Sequence, residues 1–262
     1  MDTDGSARAI SILAYDWPSA QVIGEITQIL ISEAMGVQTN VSAFRPLSVL
    51  EASLGLSECA DIACQVPRPL IGHVALESWI GSYGADLEMF RQARPSKVPE
   101  DLGSMGYLGE EAMYVTKQVL NEALEESGLA LEFYRSYNTS HYNAKQYFAQ
   151  LTDLPSGEFI GCNETGHIWT DTAFMSTYVQ FSGDLDGVIE VEGGYHVHCP
   201  DGMFWISPAC RHNTSECIPV VSARFGWLVD SFMAWSTAYG LPTAIGITRT
   251  SPAWLQVSRD YR

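Results

Sequence analysis

The sequence predicts an α/β protein of two lobes, each a mostly parallel sheet flanked by helices. Three observations carry that expectation. Short apolar, β-compatible runs alternate with stretches whose apolar residues recur at helical spacing, the β-α-β-α-β pattern of a doubly wound sheet. The series runs twice, before and after about residue 115, which fits two lobes joined at a hinge better than one continuous sheet. The chain has 262 residues, 46 % hydrophobic and 17 % charged, enough for two cores of ordinary size.

Residues 8–15 (RAISILAY) read as the first strand, punctuated by Asp16-Trp17-Pro18-Ser19, where Asp16 or Ser19 can cap a helix. Val22, Ile23, Ile26, Ile29 and Leu30 then fall on one helical stripe, and Gly36 stops it. Residues 37–44 (VQTNVSAF) alternate like a second strand. A helix is expected over 47–56 and a third strand in 72–76 (GHVAL), which meets Glu77, Ser78 and Trp79. The Pro-, Gly- and charge-rich stretch 91–106 reads as a surface loop. Residues 111–116 read as a strand, 117–127 as a helix ended by Gly128, 146–154 as a helical turn and 158–162 (EFIGC) as a strand. A helix over 171–181, strand-like runs at 187–197 and 203–206, a helix over 226–239 and a last strand at 243–248 complete the pattern. No internal repeat interrupts it.

Charge narrows the function. Thirty-one acidic residues against fourteen Lys and Arg give a net −17, the wrong sign for nucleic acid or an anionic membrane and favourable at long range for a cation. No run is long and apolar enough to span a membrane, and the first residues lack the basic and apolar regions of a signal peptide. Six cysteines (59, 64, 162, 199, 210, 217) and four N-x-S/T sequons, at Asn40, Asn138, Asn163 and Asn213, point to an oxidising compartment. An extracellular or periplasmic chain, its signal peptide outside this sequence, is therefore expected. Cys59/Cys64 and Cys210/Cys217 are spaced to close small loops, although spacing alone leaves the connectivity open.

No GxSxG, HExxH, P-loop or dinucleotide glycine fingerprint is present, so nothing directs the reading to an enzyme or a cofactor. The tryptophans say more. Trp17 follows the first strand and Trp79 the third, and in a parallel sheet both strand ends lie at the edge where open α/β sheets bind ligands. Each could instead close the core. Indole faces converging on a desolvated cation bind quaternary ammonium without any donor, each ring contributing roughly 0.5–2 kcal/mol. In GEFIGCNETGHIWTD (157–171), a strand runs into a Gly-Cys-Asn turn and a helix start. The backbone amides of Gly161, Cys162 and Asn163 there could cradle an anion. Aromatic cage and amide cradle together suit a small zwitterion.

These segments resemble the glycine betaine/choline-type substrate-binding proteins of ABC transporters, which have the type II periplasmic-binding-protein fold. AYDWPSAQVIGEITQILISEAMG is similar to that family's opening strand, aromatic turn and long helix. GHVALESW is similar to its strand ending in a cage tryptophan, GYLGEEAMYV to its crossing segment and AQLTDLPSGEFIGCNETG to its second-lobe start. The likeness runs over roughly residues 8–205. It implies residues 1–114 and 206–262 as lobe I, with 115–205 inserted as lobe II. It also implies a ligand site between the lobes, formed by Trp17, Trp79, Tyr114 and Trp205, with Asp16 offsetting the cation and Gly161, Cys162 and Asn163 holding the carboxylate. The aromatic expected after the Gly-Cys-Asn turn falls to His167 or Trp169. A permease, or a membrane-anchored longer chain, is the implied partner.

Two rival readings use other residues. His196 and His198 share one strand face near Cys199, Cys210, His212 and Cys217, a set that could serve a secreted hydrolase or bind zinc, although an oxidised loop explains the cysteines more simply. Asp184, Asp186, Glu190 and Glu192 form an acidic run that reads as a solvated face, with calcium as the sharper alternative. A receptor-like ectodomain on the same fold is the third reading.

Overall fold

The computed structural model describes residues 9–42, 47–79, 84–110, 112–138, 143–162, 164, 172–192, 194–223 and 229–260. The chain is mixed α/β and divides into two compact units, residues 1–109 and 110–262.

The first unit is built on three parallel strands in the order β2-β1-β3: β1 (Ile10–Leu13), β2 (Thr39–Val41) and β3 (Val74–Ala75). Ile12 and Leu13 of the central strand are fully buried, each contributing roughly 1.5–3 kcal/mol of apolar transfer. Helix α1 (Pro18–Ile29) starts on a proline at its first position, where the missing N–H costs nothing, and continues as a wider turn over Leu30–Ala34. Helix α2 (Val49–Leu56) is started by a reciprocal Ser48–Glu51 capping box. Behind it, the Cys59–Cys64 disulfide closes a short loop, and Phe90 of α3 (Gly84–Ala93) packs on Leu54 and Cys59.

In this strand order the chain leaves β1 for one side, then crosses back over it to reach β3. The order reverses between β1 and β3, and in open α/β sheets ligands are taken at the carboxyl ends of strands at such a point.

The second unit begins with α4 (Lys117–Ser127), capped by the Thr116 hydroxyl and ended by Gly128 at φ 68°, a left-handed value that glycine adopts without strain. Short 3-10 turns follow, then α5 (Thr172–Ser182) and the antiparallel hairpin of β4 (Val188–Val191) and β5 (Gly194–Val197). Strands β6 (Phe204–Ile206), β7 (Ile218–Ser222) and β8 (Thr243–Ile247) form a mixed sheet in the order β6-β8-β7, with α6 (Val229–Ala238) linking β7 to β8 and α7 (Ser251–Asp260) closing the chain. Its core gathers Met175, Tyr178, Trp205, Met233 and Ile245.

Several expectations change. Residues 206–262 belong to the second unit, not to the first lobe, because β8 pairs with both β6 and β7 and its end bridges Phe159. The inserted-lobe arrangement therefore gives way to two consecutive units. The parallel sheet expected in each lobe holds for the first unit, whereas the second combines a mixed sheet and an antiparallel hairpin. Residues 112–116 carry no strand, and the run at 158–162 is reduced to a single bridge at Phe159. Both short cysteine loops are disulfides, joined by a third between Cys162 and Cys199. Three disulfides are what an oxidising compartment sustains, and among the described residues no helix is long and apolar enough to cross a membrane.

Candidate functional site

The candidate site is formed by what immediately follows β1 and β3. Beyond β1 the chain makes one bridge at Tyr15 and bends at Asp16 and Trp17 before α1, bringing the Tyr15 and Trp17 rings together. Their rings stack at 4.2 Å and 12°. Beyond β3 come Glu77, Ser78 and Trp79. Side-chain hydrogen bonds join the two strand ends. The Trp17 indole Nε1 donates to Glu77 Oε2 at 3.0 Å, Ser19 Oγ donates to Glu77 Oε1 at 2.6 Å, and the Tyr15 and Ser78 hydroxyls are 3.0 Å apart.

Glu77 is the centre of this arrangement. It is only 6 % exposed and sits at φ 58°, a left-handed conformation rare for a non-glycine residue. Backbone held there costs on the order of 1–3 kcal/mol and persists where the surroundings over-determine it, commonly at ligand sites. Ser19 lies in the first turn of α1, so the carboxylate also sits by the positive end of that helix. The Tyr107 phenol is close enough to feel the Glu77 carboxylate.

Tyr107 in turn meets the Trp79 ring edge-on, with centroids 5.8 Å apart at 66°. Gly109 lies against the other part of that indole so closely that a Cβ there would stand 2.5 Å from two of its ring carbons. Trp79 keeps 39 % of its surface exposed, while Trp17 keeps 6 %. Burial pushes the Tyr15 phenol up to about 12, against a smaller opposing effect from Ser78. Tyr107 is likewise pushed up to about 12, by desolvation first and then by the neighbouring Glu77 carboxylate. Both phenols therefore remain neutral donors over the whole physiological range.

The result is a buried carboxylate held by neutral donors and edged by four aromatic rings. Compared with known proteins, the chain matches no family model, no curated protein and no solved structure. The chemistry of the site is therefore argued from its residues alone. A negative charge with only uncharged partners, beside ring faces carrying negative quadrupole, attracts a cation that sheds its water easily.

The other residues named from sequence lie elsewhere. Asp16 is half-buried beside Trp17, its backbone carbonyl accepting from Gln21 Nε2 at 2.9 Å. Tyr114 belongs to the second unit, is 75 % exposed and donates its hydroxyl to Glu110 O at 2.6 Å. Asn163, His167 and Trp169 lie outside the described residues. Trp205, expected as a cage wall, is fully buried in β6 and edge-on to Tyr178 at 6.1 Å. It packs the second unit's core rather than an open site.

The amide cradle is also different from expectation. Gly161 N–H donates to Glu164 Oε2 at 3.2 Å and Cys162 N–H to Gly202 O at 2.9 Å, so the chain itself takes both groups. Arg249 holds the same Glu164 carboxylate at 2.8 and 3.0 Å.

The zinc reading loses its thiolates, since all six cysteines are in disulfides. His198 Nδ1 bonds the Asp186 carbonyl at 2.9 Å, and among the described residues no group of three or more His, Cys, Asp or Glu is placed to hold a metal. Asp184 is not solvated: Arg211 grips it at 2.6 and 2.8 Å, and Tyr178 donates to it at 2.6 Å. A cleft of about 510 Å³ beside this pair is lined by Ser182, His212 and Thr237 as well. Asp186 lines it too, so the Asp184–Arg211 pair leaves one further acid in the cleft.

Sequence reasoning missed Tyr15, Glu77 and Tyr107. An acid directly after a short apolar strand was the available signal for Glu77. Tyr107 stands in the same quoted segment as Tyr114 but carries no local mark that distinguishes it.

Proposed function

We propose that this chain binds a small quaternary-ammonium compound (glycine betaine, choline or a relative) in an aromatic cage at the carboxyl ends of β1 and β3. In this reading it serves as the substrate-binding component or domain of an ABC-type transport system. It works outside the cytoplasm, where its three disulfides persist, and binding rather than catalysis is its task. The observation that carries the reading is the Trp17–Glu77 hydrogen bond beside Trp79 and Tyr107, at the point where the strand order reverses. A methylated ammonium needs no hydrogen-bond donor from the protein. It needs low-cost desolvation, ring faces and a nearby negative charge; the half-exposed rings of Trp79 and Tyr107, and the buried Glu77 carboxylate held by Trp17, support this reading.

Thermal unfolding against a panel of methylated ammonium and sulfonium compounds, with amino acids and sugars as controls, tests the proposal. At a ligand concentration about 100-fold above Kd, a binder adds about 2.7 kcal/mol of stability, a shift of several degrees. A panel in which no methylated cation raises the midpoint above the controls would overturn it.

A further inference from the structure

We infer that Asn213 is an N-glycosylation site, and that of the three sequon asparagines among the described residues it is the one on which the folded chain carries a glycan. The inference goes beyond ligand binding. It stands whether or not the cage reading holds.

The sequon is Asn213-Thr214-Ser215, in the connection between β6 and β7. The Cys210–Cys217 disulfide closes this connection into a short loop and fixes its two ends in the core, where both cysteines are fully buried. Between those ends Asn213, Thr214, Ser215 and Glu216 are all exposed. A glycan is bulky and hydrated, so a fold tolerates it where the asparagine stands on a surface loop.

The side-chain geometry suits attachment. Asn213 Oδ1 accepts from the Ser215 amide at 3.3 Å and from Ser215 Oγ at 2.8 Å, which brings the hydroxyl that defines the sequon onto the amide that reacts. Asn213 Nδ2 donates to Glu216 Oε1 at 2.9 Å, on the exposed side of the loop. Transfer joins Nδ2 to the anomeric carbon of a sugar chain delivered on a polyprenyl diphosphate. The bond from that carbon to the diphosphate oxygen breaks, the diphosphate leaves with the electron pair, and Nδ2 gives one proton to a base of the transferring enzyme. An asparagine amide carries two N–H donors, so the one that remains is enough to keep the bond to Glu216.

The other sequons are placed differently. Asn138 Nδ2 donates to Tyr239 O at 2.9 Å and lies so close to Gly240 that a Cβ there would stand 2.9 Å from it. A sugar on that nitrogen would have to push aside the backbone just past α6. Asn40 sits inside β2, paired with Ser11, and Ser42, its sequon hydroxyl, is spent on Ile12 O at 2.9 Å. Asn163 lies outside the described residues.

The test directs the whole chain into the secretory pathway of a eukaryotic cell line. The secreted product is treated with peptide-N-glycosidase in heavy-oxygen water, which converts each glycosylated asparagine to a labelled aspartate read by peptide mass spectrometry. Label is expected at Asn213. It should vanish there in both Asn213→Gln and Ser215→Ala, whereas Ser215→Thr, which keeps the hydroxyl, retains it. Both positions are exposed, so the variants should unfold at the parent's denaturant midpoint. An unlabelled Asn213 in the secreted parent overturns the inference. Label at Asn138 or Asn40 equal to that at Asn213 overturns it as well, because the fold would then not select the acceptor.

Discussion

The indole N–H of Trp17 and the carboxylate of Glu77 meet at 3.0 Å across 60 residues of sequence, tying the end of β1 to the end of β3. Both groups are almost fully buried, so each needs the other. Trp17→Phe keeps an aromatic ring against Tyr15 but deletes the donor along with part of the buried ring system, so a packing loss adds to the effect. Leaving a buried acceptor short of a partner costs about 1–3 kcal/mol. Urea unfolding should register a loss of at least that size, together with weaker binding of methylated ammonium. A variant as stable as the parent would mean the bond does not organise the site.

Trp79 makes a different prediction because it is half-exposed. Trp79→Ala removes a ring that closes no core, so unliganded stability should fall by about 1 kcal/mol or less, as for most surface positions, while the ligand-induced thermal shift disappears. Gly109→Ala approaches the same ring from the other side. Its new Cβ would lie 2.5 Å from the indole, which must therefore turn away. Titration calorimetry should show ligand affinity reduced in Gly109→Ala with the fold intact. Unchanged affinity would place the ligand away from Trp79.

How much of this was legible in the sequence follows from which signals are local. Apolar runs, the Trp17-Pro18 start of α1, and the Ser48 and Gly128 caps are short-range features, and the elements they mark are present. Strand β7 was hidden by Pro219, which is tolerated because β7 is an edge strand. Helix α7 was missed although the Thr250 hydroxyl accepts from Ala253 N at 3.1 Å, a cap with Pro252 just after it. The assignment of residues 206–262 depends on the pairing of β6 with β8 across a long intervening segment, which no local pattern encodes. In the site, Trp17 and Trp79 announce themselves as large rings after apolar strands. The positive φ of Glu77 does not, and Tyr107 lies just past the 91–106 loop, in the stretch likened to a crossing segment, where Tyr114 drew the reading instead.

Alkaline pH tests the buried Tyr15 and the exposed Tyr107. Unfolded tyrosine ionises near pH 10, whereas Tyr15 and Tyr107 are pushed up to about 12. Above pH 10 the unfolded chain has therefore lost protons that the folded chain keeps, and stability falls as pH rises. The contribution is intact below pH 10 and disappears between pH 10 and about 12. For the fully buried Tyr15 it is on the order of 2 kcal/mol. Tyr15→Phe should flatten part of that alkaline decline in denaturant midpoints; an identical decline would assign it to other groups.

The Asp184–Arg211 pair predicts the acid side. Burial pushes the Asp184 carboxyl up, but hydrogen bonds from Arg211 and Tyr178 and the guanidinium charge outweigh that and hold it below its usual range. A lowered folded value means stability present above the unfolded aspartate range and lost as pH falls through the folded one. Asp184→Asn strands Arg211 beside Tyr178 with its main partner gone. Breaking a buried pair on one side costs about 3–5 kcal/mol, and the variant should also lose part of the parent's acid sensitivity below about pH 4. A stable variant with the parent's acid profile would contradict both.

The three disulfides close loops of very different length, which ranks them. Cys162 and Cys199 are 37 residues apart, Cys210 and Cys217 are 7 apart, and Cys59 and Cys64 are 5 apart. Cross-linking restricts the unfolded chain more as the loop lengthens, giving about 4 kcal/mol for the longest and about 2 kcal/mol for the shortest. The longest also has both sulfurs in the second unit's core beside Met175 and Trp205, so its removal leaves a packing defect as well. Paired alanine substitution of Cys162 and Cys199 should therefore lower the denaturant midpoint clearly more than the same change at Cys59 and Cys64. Because neither unit needs the other's disulfide for its own loop closure, the first loss should spare ligand binding at the β1–β3 site wherever the first unit stays folded. A reversed ranking would show that native packing, rather than loop closure, governs what these bridges contribute.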